Sequence, residues 1–143
     1  MLSGGCELAA YRRGVIDFSE LSSADFLQAL KRGTDFLWPL DAAVWLLERT
    51  GVWLEDPRLR QYVAGGVREG EVWAGFEVSR LRAAIEAGAL GDRSEELTVL
   101  CFALSLYGDF PISLRYDCWG LSGEVVQLMG KAMLIANGYG ECD

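Results

Sequence analysis

Apolar residues recur along most of this chain at the three- and four-residue spacing of helices, and each run carries its own start and stop signals. Phe26, Leu27 and Leu30 follow a Ser22, Ser23, Asp25 start and run to Gly33. Leu40, Ala43, Val44 and Leu47 form a stripe behind Pro39, which suits a first helical turn, and Gly51 stops that helix. Asp56 and Pro57 read as a cap and first-turn proline for a third helix through Leu59, Tyr62, Val63, Gly66 and Val67. Val78, Leu81 and Ile85 predict a fourth helix, closing near Gly88. Residues 94–107 open with Glu95 and Glu96 at the end that the helix dipole favours, and their apolar side chains then cover nearly the full circumference. A helix without a polar face belongs in the middle of a helical fold, so Leu100 and Leu104 are expected to be fully buried. Ser122 caps a last helix through Val125, Leu128, Met129 and Ile135, which Asn137 and Gly138 end.

Two stretches break this period. Residues 71–78 place Val72, Trp73, Phe76 and Val78 around Gly75, and residues 112–119 alternate Ile112, Leu114, Tyr116 and Cys118 with polar neighbours and Trp119. Period two fits strands, and it equally fits loops anchored on alternate residues. Loops are favoured over a ribbon made from the two, because isolated ribbons are marginal. The fold class expected is all-α or mainly α: a compact bundle of about six helices, with a small two-stranded ribbon as an option, in one domain spanning 1–143.

Composition changes this picture in three ways. A chain of 143 residues buries about two-thirds of its unfolded surface, so it needs no metal or disulfide to fold. Its hydrophobic fraction is 51%, more apolar than the helical pattern alone requires. The surplus is taken up either by the all-apolar helix or by a surface patch covered by a partner or a second copy, a homodimer. The net charge of −8 repels phosphate backbones, which argues against nucleic acid and for a basic partner, although acidity also serves plain solubility. The longest apolar run, 97–106, is too short to span a bilayer. Residues 1–14 show no apolar leader core, so a reducing cytoplasm with free thiols is expected.

The chemistry on offer is narrow. There is no histidine, which removes Ser-His and Cys-His nucleophile pairs and the usual neutral-pH proton shuttle. Cys6, Cys101, Cys118 and Cys142 show no metal-ligand spacing, so neither zinc nor any other cofactor is expected. Cys6 and Cys142, near the two ends, could pair on oxidation. Acidic neighbours occur as Glu95 with Glu96, Asp41 with Glu48, and Asp109 with Asp117. Carboxylate or magnesium catalysis needs such groups to converge in a cleft, whereas helix dipoles and solvation explain them without one. No catalytic residue is therefore assigned.

The tryptophans are the remaining lead. Helical spacing puts Asp41, Trp45, Glu48 and Arg49 opposite the Leu40–Leu47 stripe, which makes them the leading candidate surface for a basic protein partner, in the manner of an acidic inhibitor or immunity protein. Coverage of Trp45 by another segment of the chain is the competing reading. Trp73, Arg115, Tyr116 and Trp119, in expected connections, form the alternative: an aromatic pocket for a small molecule. A small carboxylate-dependent enzyme is the third option.

Overall fold

The structure is a computed structural model that describes residues 11–12 and 15–140. Among the described residues it is mainly helical, with two small two-stranded antiparallel sheets. In chain order the elements are β1 (Tyr11–Arg12), β2 (Val15–Ile16), α1 (Ser23–Arg32), α2 (Trp38–Thr50), α3 (Val52–Glu55), β3 (Val63–Arg68), β4 (Glu71–Phe76), α4 (Val78–Glu86), α5 (Glu95–Tyr107) and α6 (Gly123–Ala136). The short β1 and β2 pair with each other, and β3 pairs with β4.

Local signals set the helix ends. Ser22, Ser94 and Ser122 each lie one residue before a helix and accept a backbone N–H from its first turn, from Asp25, Leu97 and Val125 respectively. Pro39 sits in the first turn of α2, and Gly51 ends that helix at φ 77°, a conformation glycine adopts without a Cβ penalty.

The expected third helix is corrected. Only a 3₁₀ turn, Leu59–Tyr62, follows Pro57, and Val63–Arg68 is strand β3. Helical spacing of apolar residues there was outweighed by three local features. Gly65 and Gly66 are poor helix formers. Glu69 at φ 53° and Gly70 at φ 79° make a two-residue turn whose twist suits a hairpin. Val72, Ala74 and Phe76 on β4 alternate into the core. A Cβ on Gly65 would lie 2.0 Å from the Trp73 carbonyl oxygen, so the two strands approach closely there. The ribbon therefore pairs 63–68 with 71–76. Residues 112–119 do not join it and form a turn-rich loop.

α1 packs across β4. Arg32 donates to the Val72 carbonyl at 2.8 Å and pairs with Glu71 at 3.2 Å. A Cβ on Gly33 would meet the Ala74 carbonyl oxygen at 1.8 Å, so this close approach requires glycine. α2 is covered on both faces, and the six residues from Ala42 to Leu47 are all buried between α5 and α6. α5 is enclosed as well, with six of its 13 residues buried, as its lack of a polar face leads one to expect. Leu100 and Leu104 of α5 are fully buried as expected, but Phe110, Ile112, Cys118 and Leu121 of the following loop also pack against this core. Part of the α5 circumference thus meets a loop. No helix among the described residues is long and apolar enough to cross a membrane.

Candidate functional site

The face assigned to a partner does not exist as drawn. Trp45 is 3% exposed, because α6 packs on that side of α2. Its ring lies under two cations, Arg49 at 5.5 Å and Lys131 of α6 at 5.3 Å. Asp41 is half-buried, and Glu48 pairs with Lys31 at 3.4 Å. Arg49 is exposed, but its guanidinium lies over the tryptophan. The helical wheel separated the two faces of α2 correctly. It could not show that both are covered. The Trp45 indole N–H finds no hydrogen-bond partner among the described residues.

Exposed aromatics occur elsewhere. The turn between α1 and α2 holds Asp35 at φ 51° and Phe36 at φ 60°, two consecutive non-glycine residues in the left-handed region. Phe36 is 94% exposed, and Leu37 and Trp38 follow it half-exposed or more. A Cβ on Gly138, just past α6, would meet the Trp38 ring at 2.6 Å, so this turn and the end of α6 form one surface. Tyr139 and Leu134 extend it from the α6 side, where the Tyr139 N–H donates to the Leu134 carbonyl at 2.8 Å. Non-glycine residues in left-handed backbone cost stability, and a bare aromatic ring gains nothing within its own chain. The sequence held one signal for this site: Phe36, Leu37 and Trp38 are three consecutive large apolar residues in a connection ahead of a proline.

The alternative residues come together in part. Arg115, Tyr116 and Trp119 line one open basin of about 400 Å³, joined by Arg93 from the segment before α5. Trp73 does not line it. It lies on the hairpin, half-buried, with Arg68 over its ring at 5.2 Å. Arg93 has no sequence signal, because it is brought in from outside the loop.

Three acids meet at one cleft among the described residues. Glu95, Glu96 and Glu124 line a cleft of about 240 Å³ with Arg49, where the starts of α5 and α6 meet the end of α2. Glu95 accepts the Ser122 backbone N–H at 2.7 Å, which holds its carboxyl below the usual range and ties α5 to the cap of α6. Asp17 and Asp56 are held down likewise, by Ser19 and by Arg58. These carboxyls are shifted away from general-acid chemistry, which needs a raised pKa. No group of three or more His, Cys, Asp or Glu side chains among the described residues is placed to hold a metal ion.

Cys101 and Cys118 share a second cleft of about 250 Å³ with Phe110, Ile112 and Asp117. Burial, then the Asp117 carboxylate, pushes the Cys101 thiol up to about 11, and the same causes raise Cys118. Both thiols stay protonated at neutral pH. Cys6 and Cys142 lie outside the described residues. No family model, curated protein or solved structure matches this chain.

Proposed function

We propose that this is a non-catalytic interaction protein of the reducing cytoplasm, docking a basic protein partner through the Phe36, Leu37, Trp38 turn and the adjoining end of α6. The observation that carries this reading is Phe36 itself, fully presented on left-handed backbone. Such strain persists where a side chain is used by something outside the chain. Aromatic anchors of this kind dominate binding energy at protein interfaces. The net charge of −8 selects the partner's sign and speeds encounter. An inhibitor or immunity protein for a basic enzyme fits this chemistry. The absent histidine and the protonated thiols support the non-catalytic half of the reading.

The test replaces Phe36 with a photo-reactive phenylalanine analogue in the cells that make the protein. The expected product is a cross-link to a basic protein, lost in Trp38→Ala and weakened by salt. Cross-links that persist unchanged in Trp38→Ala and Tyr139→Ala would refute the proposed surface. A self-cross-link, with a dimer mass by light scattering that Trp38→Ala reduces to monomer, would assign the surface to a second copy instead.

A further inference from the structure

A second surface stands apart from this one. The described arginines are mostly accounted for. Arg32, Arg58, Arg68, Arg80 and Arg82 each meet a carboxylate, and Arg60 turns inward onto the carbonyls of Phe18 and Leu21. Arg93 and Arg115 meet no carboxylate among the described residues, and both line the same basin. On a chain of net charge −8, two guanidiniums without an ion pair in one basin are a local concentration of positive charge, the nearby Asp117 carboxylate being engaged by the Ser113 N–H.

The same basin holds two exposed aromatics. Trp119 is 83% exposed and Tyr116 is 67% exposed, so neither is explained by the core. The Arg115 guanidinium stacks over the Tyr116 ring at 5.4 Å. Arg93 donates to the Tyr116 carbonyl, which pins the loop to the segment before α5. Within the loop, the Asp117 carboxylate accepts the Ser113 N–H at 2.6 Å, and the Asp117 N–H donates to the Ser113 carbonyl at 2.7 Å. The loop is thus built as a defined turn, and a preordered site loses less entropy on binding than a slack one.

We infer that this basin binds a planar aromatic anion, its ring stacked on Trp119 and its phosphate or carboxylate held by Arg115 and Arg93. Guanidinium offers a planar fork of donors matched to either anionic group, and an exposed indole offers an apolar face to a flat ring. Neither half suffices alone. A free phosphate would find no ring contact, and a neutral ring would leave the two guanidiniums without an anionic partner. The chain's overall negative field does not prevent this, since exposed charges beyond about 8 Å are largely screened at physiological salt.

The test is calorimetric titration of the full chain with four probes: adenosine 5′-monophosphate, 1-naphthoate, adenosine and inorganic phosphate. Saturable binding is expected for at least one of the two aromatic anions, and which one binds identifies the anionic group preferred. The neutral nucleoside and the free phosphate are expected to bind at least about tenfold more weakly. Arg115→Gln should weaken the aromatic anion by about tenfold and leave adenosine unchanged, and Trp119→Ala should weaken both. Both side chains are exposed, so thermal unfolding of the variants should match the parent and separate lost binding from lost folding. The inference is overturned if neither aromatic anion binds saturably at millimolar concentration. It is equally overturned if binding is indifferent to Arg115→Gln and Trp119→Ala.

Discussion

Phe36 is a residue whose two roles pull against each other. Its left-handed backbone favours glycine, and its exposed ring makes no packing contribution that a truncation would lose. Phe36→Gly should therefore stabilise the isolated chain by about 0.5–1 kcal/mol while it abolishes docking. Denaturant unfolding of the variant checks the sign, and a loss of stability would mean that the ring packs on its own chain. Cys101 gives a second residue-scale prediction. Its folded pKa lies at about 11, above the ordinary thiol value of 9.0. A pKa raised by folding contributes stability that is complete below the unfolded value and is lost as pH rises through the folded one. The loss should fall between those two values. Alkylation of the native protein should stay slow at neutral pH and accelerate across the same window. Rapid alkylation of Cys101 at neutral pH would contradict its burial.

At the scale of elements, α5 and α1 are held by different means. α5 depends on apolar burial, and Leu104 is 0% exposed. Leu104→Ala should cost about 2–5 kcal/mol in chemical unfolding, through lost transfer energy and the cavity left behind. An unchanged midpoint would mean that α5 is not part of the core. α1 depends on how closely its end approaches β4. The Cβ of Gly33→Ala would meet backbone, which has no rotamer to move, so the helix and hairpin must separate. Destabilisation of about 1–3 kcal/mol is expected from such overpacking, while Gly88→Ala, at an exposed helix end, is strained only by its own φ. The pairing of β3 with β4 belongs to this scale as well. Residues 63–67 carry a helical repeat of apolar side chains, and the hairpin formed because turn chemistry at Glu69 and Gly70 and the apolar alternation on β4 acted together.

For the whole molecule, charge and aromatic exposure are arranged separately. The acids are spread over the chain, and the bare rings collect at two places: the α1–α2 turn with the end of α6, and the basin beside the 108–122 loop. Diffuse charge acts on approach, and local rings act after contact. Salt should accordingly slow association with a basic partner and change dissociation little, while Trp38→Ala should mainly speed dissociation. Kinetics at two ionic strengths would show this split; an association rate indifferent to salt would remove charge from the recognition.

What the sequence determined by itself was local. Serine caps, the first-turn Pro39 and left-handed glycines act within a few residues of where they stand, so the bounds of α1, α2, α5 and α6 could be read directly. The full burial of Leu100 and Leu104 was also legible, because a helix with no polar face has nowhere else to put them. Tertiary structure decided what each face meets. Trp45, Trp38 and Trp119 are the same side chain in similar local company. The first is sealed by α6, and the other two are left in solvent, because packing of α6 on α2 is a long-range event that no local pattern encodes. The union of Arg93 with Arg115 is of the same kind: two residues distant in sequence become one basin only when the loop after α5 folds back past its start.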